Sequence, residues 1–165
     1  MSLIRLAFPF TGLVASGVWM ASGSSQAELA FDIAAKDVIQ RITASRTVEG
    51  TGMGSLKLSG LILNPREVRI TVARAGSRGR VKCTVRVAEQ SETRSSAALD
   101  CTQTGAKTET LNRIGGEAMT IVVAEHVHAS ALKQPYDIDG VGDRMLDFMA
   151  RNAPVMVAQR QPPGK

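Results

Sequence analysis

Val81-Lys82-Cys83-Thr84-Val85-Arg86-Val87 alternates apolar and polar residues, and Ala97-Ala98-Leu99-Asp100-Cys101 resumes the alternation after the polar stretch Ala88–Ser96. A period of two gives each strand one apolar face. A hairpin centred on Glu92 sets Cys83 opposite Cys101, Val85 opposite Leu99 and Val87 opposite Ala97. One register thus aligns both apolar sets and the only two cysteines of the chain. Directly opposed antiparallel residues have Cα atoms about 4.5 or 5.5 Å apart, within reach of a disulfide. A Cys83–Cys101 disulfide is therefore expected, in agreement with the export that the leader over residues 1–27 implies. There is no Cys-x-x-Cys pair and neither cysteine opens a helix, so a redox role is not expected.

The preceding segments carry the same face. Val68, Ile70 and Val72 alternate, and a turn centred between Ser77 and Arg78 puts Val72 opposite Cys83 and Ile70 opposite Val85. Before that, Leu56 and Leu58 alternate, and Gly60 reads as a bulge after which Leu61 and Leu63 resume on the new parity. Asn64-Pro65 turns the chain. Four strands with one shared apolar side read as an antiparallel meander.

Helices flank it. Phe31, Ala35, Val38 and Ile42 recur at helical spacing, so Leu29–Thr43 reads as an amphipathic helix, with Thr47–Gly54 as a connector. Leu111, Ile114, Ala118, Ile121, Val122, Ala129 and Leu132 form a helical stripe into which Glu125 intrudes. A helix is favoured there over the competing strand Thr120–Ala129, although Gly115-Gly116 weakens a continuous one. Ile138, Val141, Met145, Phe148 and Met149 mark a last helix, capped near Asp137 or Asp139 and ended before Pro154. The expected fold class is α+β: an N-terminal helix, a four-stranded antiparallel β-meander, and one or two C-terminal helices packed on one sheet face.

Residues 1–27 read as a cleavable secretory signal peptide. Arg5 precedes an apolar run from Leu6 to Met20, and Ser25 and Ala27 are small enough for the cleavage pockets. The run is shorter than the 20 or so residues of a spanning helix, and no later segment is apolar enough to cross a bilayer. This leaves a single domain over 28–158 and a short polar tail over 159–165, exported to the periplasm or the medium.

Removal of the leader leaves Phe31, Tyr136 and Phe148 as the only aromatic residues. A stacking platform for single-stranded nucleic acid needs more rings than that, so no nucleic-acid partner is expected. The net charge of +5 is unevenly spread. Arg69, Lys82 and Arg86 alternate out of phase with the buried valines, while Arg78 and Arg80 decorate a turn. Together these five residues form a candidate surface for an anionic partner, such as an acidic envelope protein or an anionic surface.

Other chemistry has less support. His126 and His128 are the only histidines. On a strand they share a face and could share a metal; on the favoured helix they diverge by about 200°. Asp137, Asp139 and Gly142 resemble a calcium loop at first sight. Val141 and Phe148, however, occupy positions where an EF-hand needs ligands, and helix capping accounts for the acids. There is no Gly-x-Ser-x-Gly elbow, P-loop or dinucleotide fingerprint. Neither a metal nor a cofactor is expected. The function expected is an exported, non-enzymatic binding or assembly module of the cell envelope. The alternatives are a small exported hydrolase whose site is not visible in the sequence, and an envelope-maintenance factor without a small ligand.

Overall fold

The computed structural model describes residues 27–49, 54–76 and 80–159. The leader before Ala27, the tail after Gln159 and Arg78 lie outside these residues. The elements run β1 (Ala27–Phe31), α1 (Ala35–Ile42), β2 (Arg46–Val48), β3 (Leu56–Asn64), β4 (Glu67–Arg74), β5 (Arg80–Ser91), β6 (Arg94–Gln103), α2 (Glu109–Leu132) and α3 (Ile138–Ala158). The strands form one curled antiparallel sheet in the order β1-β6-β5-β4-β3-β2. The α+β class is as expected, but the described sheet has six strands rather than four.

The hairpin β5–β6 has the expected register, with Cys83 opposite Cys101, Val85 opposite Leu99 and Val87 opposite Ala97. Cys83 and Cys101 are disulfide-bonded with Cα atoms 4.0 Å apart. The β4–β5 pairing differs from expectation by two residues: Val72 faces Val81, Ile70 faces Cys83 and Val68 faces Val85. A slip of two preserves parity, so the buried face survives and only the turn position changes.

Both additional strands come from segments read otherwise. In β1, Leu29 and Phe31 point into the core while Glu28 and Ala30 are exposed. Five residues of alternation were absorbed into the helical spacing that Phe31 shares with Ala35 and Val38. What decides the matter is the free edge of β6, which pairs Ala27 with Leu99 and Phe31 with Ser95. The helix is correspondingly shorter and begins only at Ala35, burying Val38, Ile39 and Ile42. Strand β2 is three residues overlapping the start of the expected connector, with Val48 buried and Arg46 opposite Leu58.

Gly60 is not a bulge. It pairs in register with Ile70, and the irregularity lies at Ile62/Asn64. Its role is steric: a β-carbon there would fall 2.6 Å from Cα of Thr43, so the end of α1 can cross β3 only over a glycine.

Helix α2 is continuous through Gly115-Gly116. Thr108 caps it by accepting from Leu111 N, and Lys133 closes it in the left-handed conformation with φ 55°. A β-carbon on Gly116 would lie 2.5 Å from the carbonyl oxygen of Cys101. The helical propensity lost at this glycine is exchanged for close seating of α2 on β6. Asp137 caps α3 by accepting from Gly140 N at 3.0 Å. This helix runs on through Pro154 rather than stopping before it. Proline removes the bond to the carbonyl of Ala150, which is exposed and open to water, so the cost is reduced. The core lies between the inner sheet face, α1 and the buried side of α2, with Val141, Met145 and Phe148 of α3 closing it. Among the described residues no helix is long and apolar enough to cross a membrane.

Two outcomes follow from this packing. Replacing both Cys83 and Cys101 by Ala lowers unfolding free energy by about 3 kcal/mol from loop-closure entropy alone, read from denaturant titration. Gly60→Ala lowers it by about 2 kcal/mol through overpacking against the Thr43 backbone, whereas Gly76→Ala meets no neighbour and costs only the strain of its positive φ.

Candidate functional site

The outward positions of the sheet are set by its pairing. Arg69 faces Thr84, Thr71 faces Lys82, Ala73 faces Arg80 and Glu67 faces Arg86. Even-numbered residues of β5 and odd-numbered residues of β4 therefore share one side, and the structure brings Arg69, Arg80, Lys82 and Arg86 together there, all exposed. Lys57 joins them from β3, where it faces Ala73. Arg78 of the expected surface lies outside the described residues.

The four cations are not equivalent. Arg86 pairs with Glu67 at 3.0 Å, and Glu67 also accepts from Asn64 at 2.7 Å. Arg69, Arg80 and Lys82 make no ion pair among the described residues, and neither does Lys57. Apart from Glu67, the acids of the same face stand further along the sheet, Asp100 on β6 opposite Thr84 and Glu28 on β1 opposite Ala98. The outer face is thus graded, basic over β3–β5 and acidic towards β1. An exposed surface of this kind attracts anions at long range without committing to one geometry.

A second group of polar residues is internal. Glu125, 5% exposed, accepts from Asp137 N at 3.1 Å and from Arg144 Nη2 at 3.2 Å. Tyr136 donates to the carbonyl of Val122 at 3.2 Å, and the Arg46 guanidinium lies 5.6 Å from the centre of its ring. Nη1 of Arg46 is buried with no hydrogen-bond partner among the described residues. Burial, with the Glu125 carboxylate beside it, raises the Tyr136 pKa above its ordinary value, so the phenol keeps its proton. Arg41 extends the network by donating to the carbonyl of Ala131 at 2.6 Å.

His126 is fully buried on α2. Its Nε2 lies 3.3 Å from the carbonyl of Ile42, to which it donates as the neutral tautomer, and Ser130 Oγ stands 3.5 Å from Nδ1. Burial lowers its pKa to about 4; the Ile42 hydrogen bond opposes this and the Arg46 charge adds to it. His128 is half-buried on the same helix, where two positions along the chain turn the side chains about 200° apart. The described residues hold no group of three or more His, Cys, Asp or Glu side chains suited to a metal. These contacts join α1, β2, α2 and α3, and their chemistry is that of attachment: Arg41, Glu125, Tyr136 and Arg144 each bond to a neighbouring element. Glu125, visible in sequence as an intrusion on an apolar stripe, was their only linear trace. Arg46, Tyr136 and Arg144 are too dispersed to be grouped without the fold.

No family model matches the chain, and no curated protein matches it. Among solved structures, it is similar to the crystal structure of CalU16 from Micromonospora echinospora. That similarity has a TM-score of 0.43 and 12% identity, covering 76% of this chain and 87% of the other.

His126 gives the fold an acid-sensitive element. Between pH 6.5 and about 4 the unfolded imidazole binds a proton that the native one does not, so stability rises with pH across this window. Relative to a His126→Gln variant, the protein should lose about 3 kcal/mol between pH 7 and pH 4, measured by urea unfolding at each pH.

Proposed function

We propose that this protein is an exported, non-enzymatic binding module that engages an anionic partner of the cell envelope through the basic half of its outer sheet face. The observation that carries the reading is the contiguous placement of Lys57, Arg69, Arg80 and Lys82 across β3–β5, without ion pairs among the described residues. Cations already satisfied by acids, as Arg86 is by Glu67, contribute little to a partner's attraction; uncompensated ones contribute field. The acids Asp100 and Glu28 at the far side give such a partner a preferred orientation.

The disulfide supports the exported part of the reading, since such bonds persist in oxidising compartments. His126 supports the non-enzymatic part: it is neutral, enclosed and committed to Ile42 and Ser130, unlike a base facing substrate.

The test is binding of the purified protein to long-chain polyglutamate at low ionic strength. Binding should weaken at least about tenfold on raising salt until the Debye length falls below about 5 Å. A variant with Arg69→Ser, Arg80→Ser and Lys82→Ser should lose most of the affinity with an unchanged melting temperature. Absence of binding at low salt, or binding indifferent to the three substitutions, overturns the reading.

A further inference from the structure

Strand β3 has a neighbour on both sides only over Leu56–Leu58, where β2 accompanies it. The turn after α1 then crosses Gly60. Beyond it, β4 pairs Leu61 with Arg69 and Ile62 with Val68, but among the described residues no backbone hydrogen bond reaches Leu61–Leu63 from the other side. The same three residues are exposed apolar side chains, at 61%, 51% and 39%. Soluble proteins usually blunt such an edge with charge, proline or a cover. Here the apolar residues stand on it.

We propose that the Leu61–Leu63 edge of β3 receives an extended acidic segment of a partner protein as an added strand. The inference rests on the anionic-partner reading above and names the form of that partner. Hydrogen bonding and charge select this occupant. A lipid surface offers apolar contact and negative charge, but hydrocarbon cannot satisfy the N–H and C=O groups of an open edge, whereas a strand can. A second copy of this chain offers a strand, but edge-to-edge pairing would set side by side two sheets that each carry Lys57, Arg66 and Arg69 near this edge, adding like charge to like. Glu67, the acid nearest these residues, is already engaged by Arg86 and Asn64.

The recognised segment is short and alternating. Three residues span about 10 Å at the strand rise. Its outward side chains fall in the row of Leu61 and Arg69 and are acidic. Its inward ones fall beside Ile62, past the end of α1, and are apolar.

The test uses the full oxidised chain and a fluorescein-labelled octapeptide in which glutamate alternates with valine, followed by anisotropy. Saturable binding is expected, weakened at least about tenfold by N-methylation of the peptide backbone, which removes its donors and keeps its charge. The protein variant Leu61→Ser with Leu63→Ser should lose affinity similarly, with no change in melting temperature. Equal binding of the methylated peptide overturns the added strand. If that binding still falls in the Arg69, Arg80 and Lys82 serine variant, the basic-face reading stands alone. No peptide binding alongside retained polyglutamate binding has the same meaning, and failure of both ligands removes both proposals. Attachment to phosphatidylglycerol vesicles in place of peptide, or a dimer in sedimentation, overturns the strand inference if either depends on Leu61 and Leu63.

Discussion

Helix α2 can lie close on the sheet because its backbone meets the backbone of β6 at Gly116, over the carbonyl of Cys101. Cys101 is in turn bonded to Cys83 on the neighbouring strand, so the point that seats the helix also ties the central hairpin. From that contact α2 runs on with Val122, Val123 and Val127 fully buried. It then anchors the remaining helices: Arg41 of α1 reaches the carbonyl of Ala131, and Arg144 of α3 reaches Glu125. A side chain at position 116 would lift the helix and loosen both attachments together.

This arrangement divides the sheet chemically. The inner face, through Leu58, Ile70, Val85 and Leu99, is dry and apolar. The outer face carries the charge, graded by strand. Inside the molecule, Glu125 of α2 accepts from Asp137 N and from Arg144 of α3, while Arg46 of β2 lies over the Tyr136 ring between those helices. The interior polar residues therefore hold elements together.

The central strands were legible because their alternation is long and their cysteines fix the register. Two-residue ambiguity at the Gly76 turn survived for the same reason that parity was safe: side-chain direction repeats every second residue. Strands β1 and β2 were not legible, being five and three residues long. Their state is set by the edges they find in space, Leu99–Ser95 of β6 and Leu56–Leu58 of β3. Gly60 and Gly116 show the converse difficulty. A glycine reads locally as a bulge or a helix breaker, and only the neighbour crossing it reveals the steric reason. Pro154 lies inside α3, where the carbonyl it leaves without a helical donor belongs to exposed Ala150 and can accept from water. Of the candidate surface, the grouping of Arg69, Lys82 and Arg86 was readable from parity alone. The exposure of Leu61–Leu63 was not, since it depends on how little of β3 the strand β2 covers.

The pairing of β1 with β6 has a kinetic consequence. The β5–β6 hairpin and its disulfide join residues close in sequence, whereas β1 must meet a strand from the far end of the sheet's sequence. Closing that larger loop costs more chain entropy, and contacts of long range form late unless local structure prepares them. The prepared edge is β6, already held by β5. By chain entropy, β1 is expected to join the sheet after the hairpin that receives it.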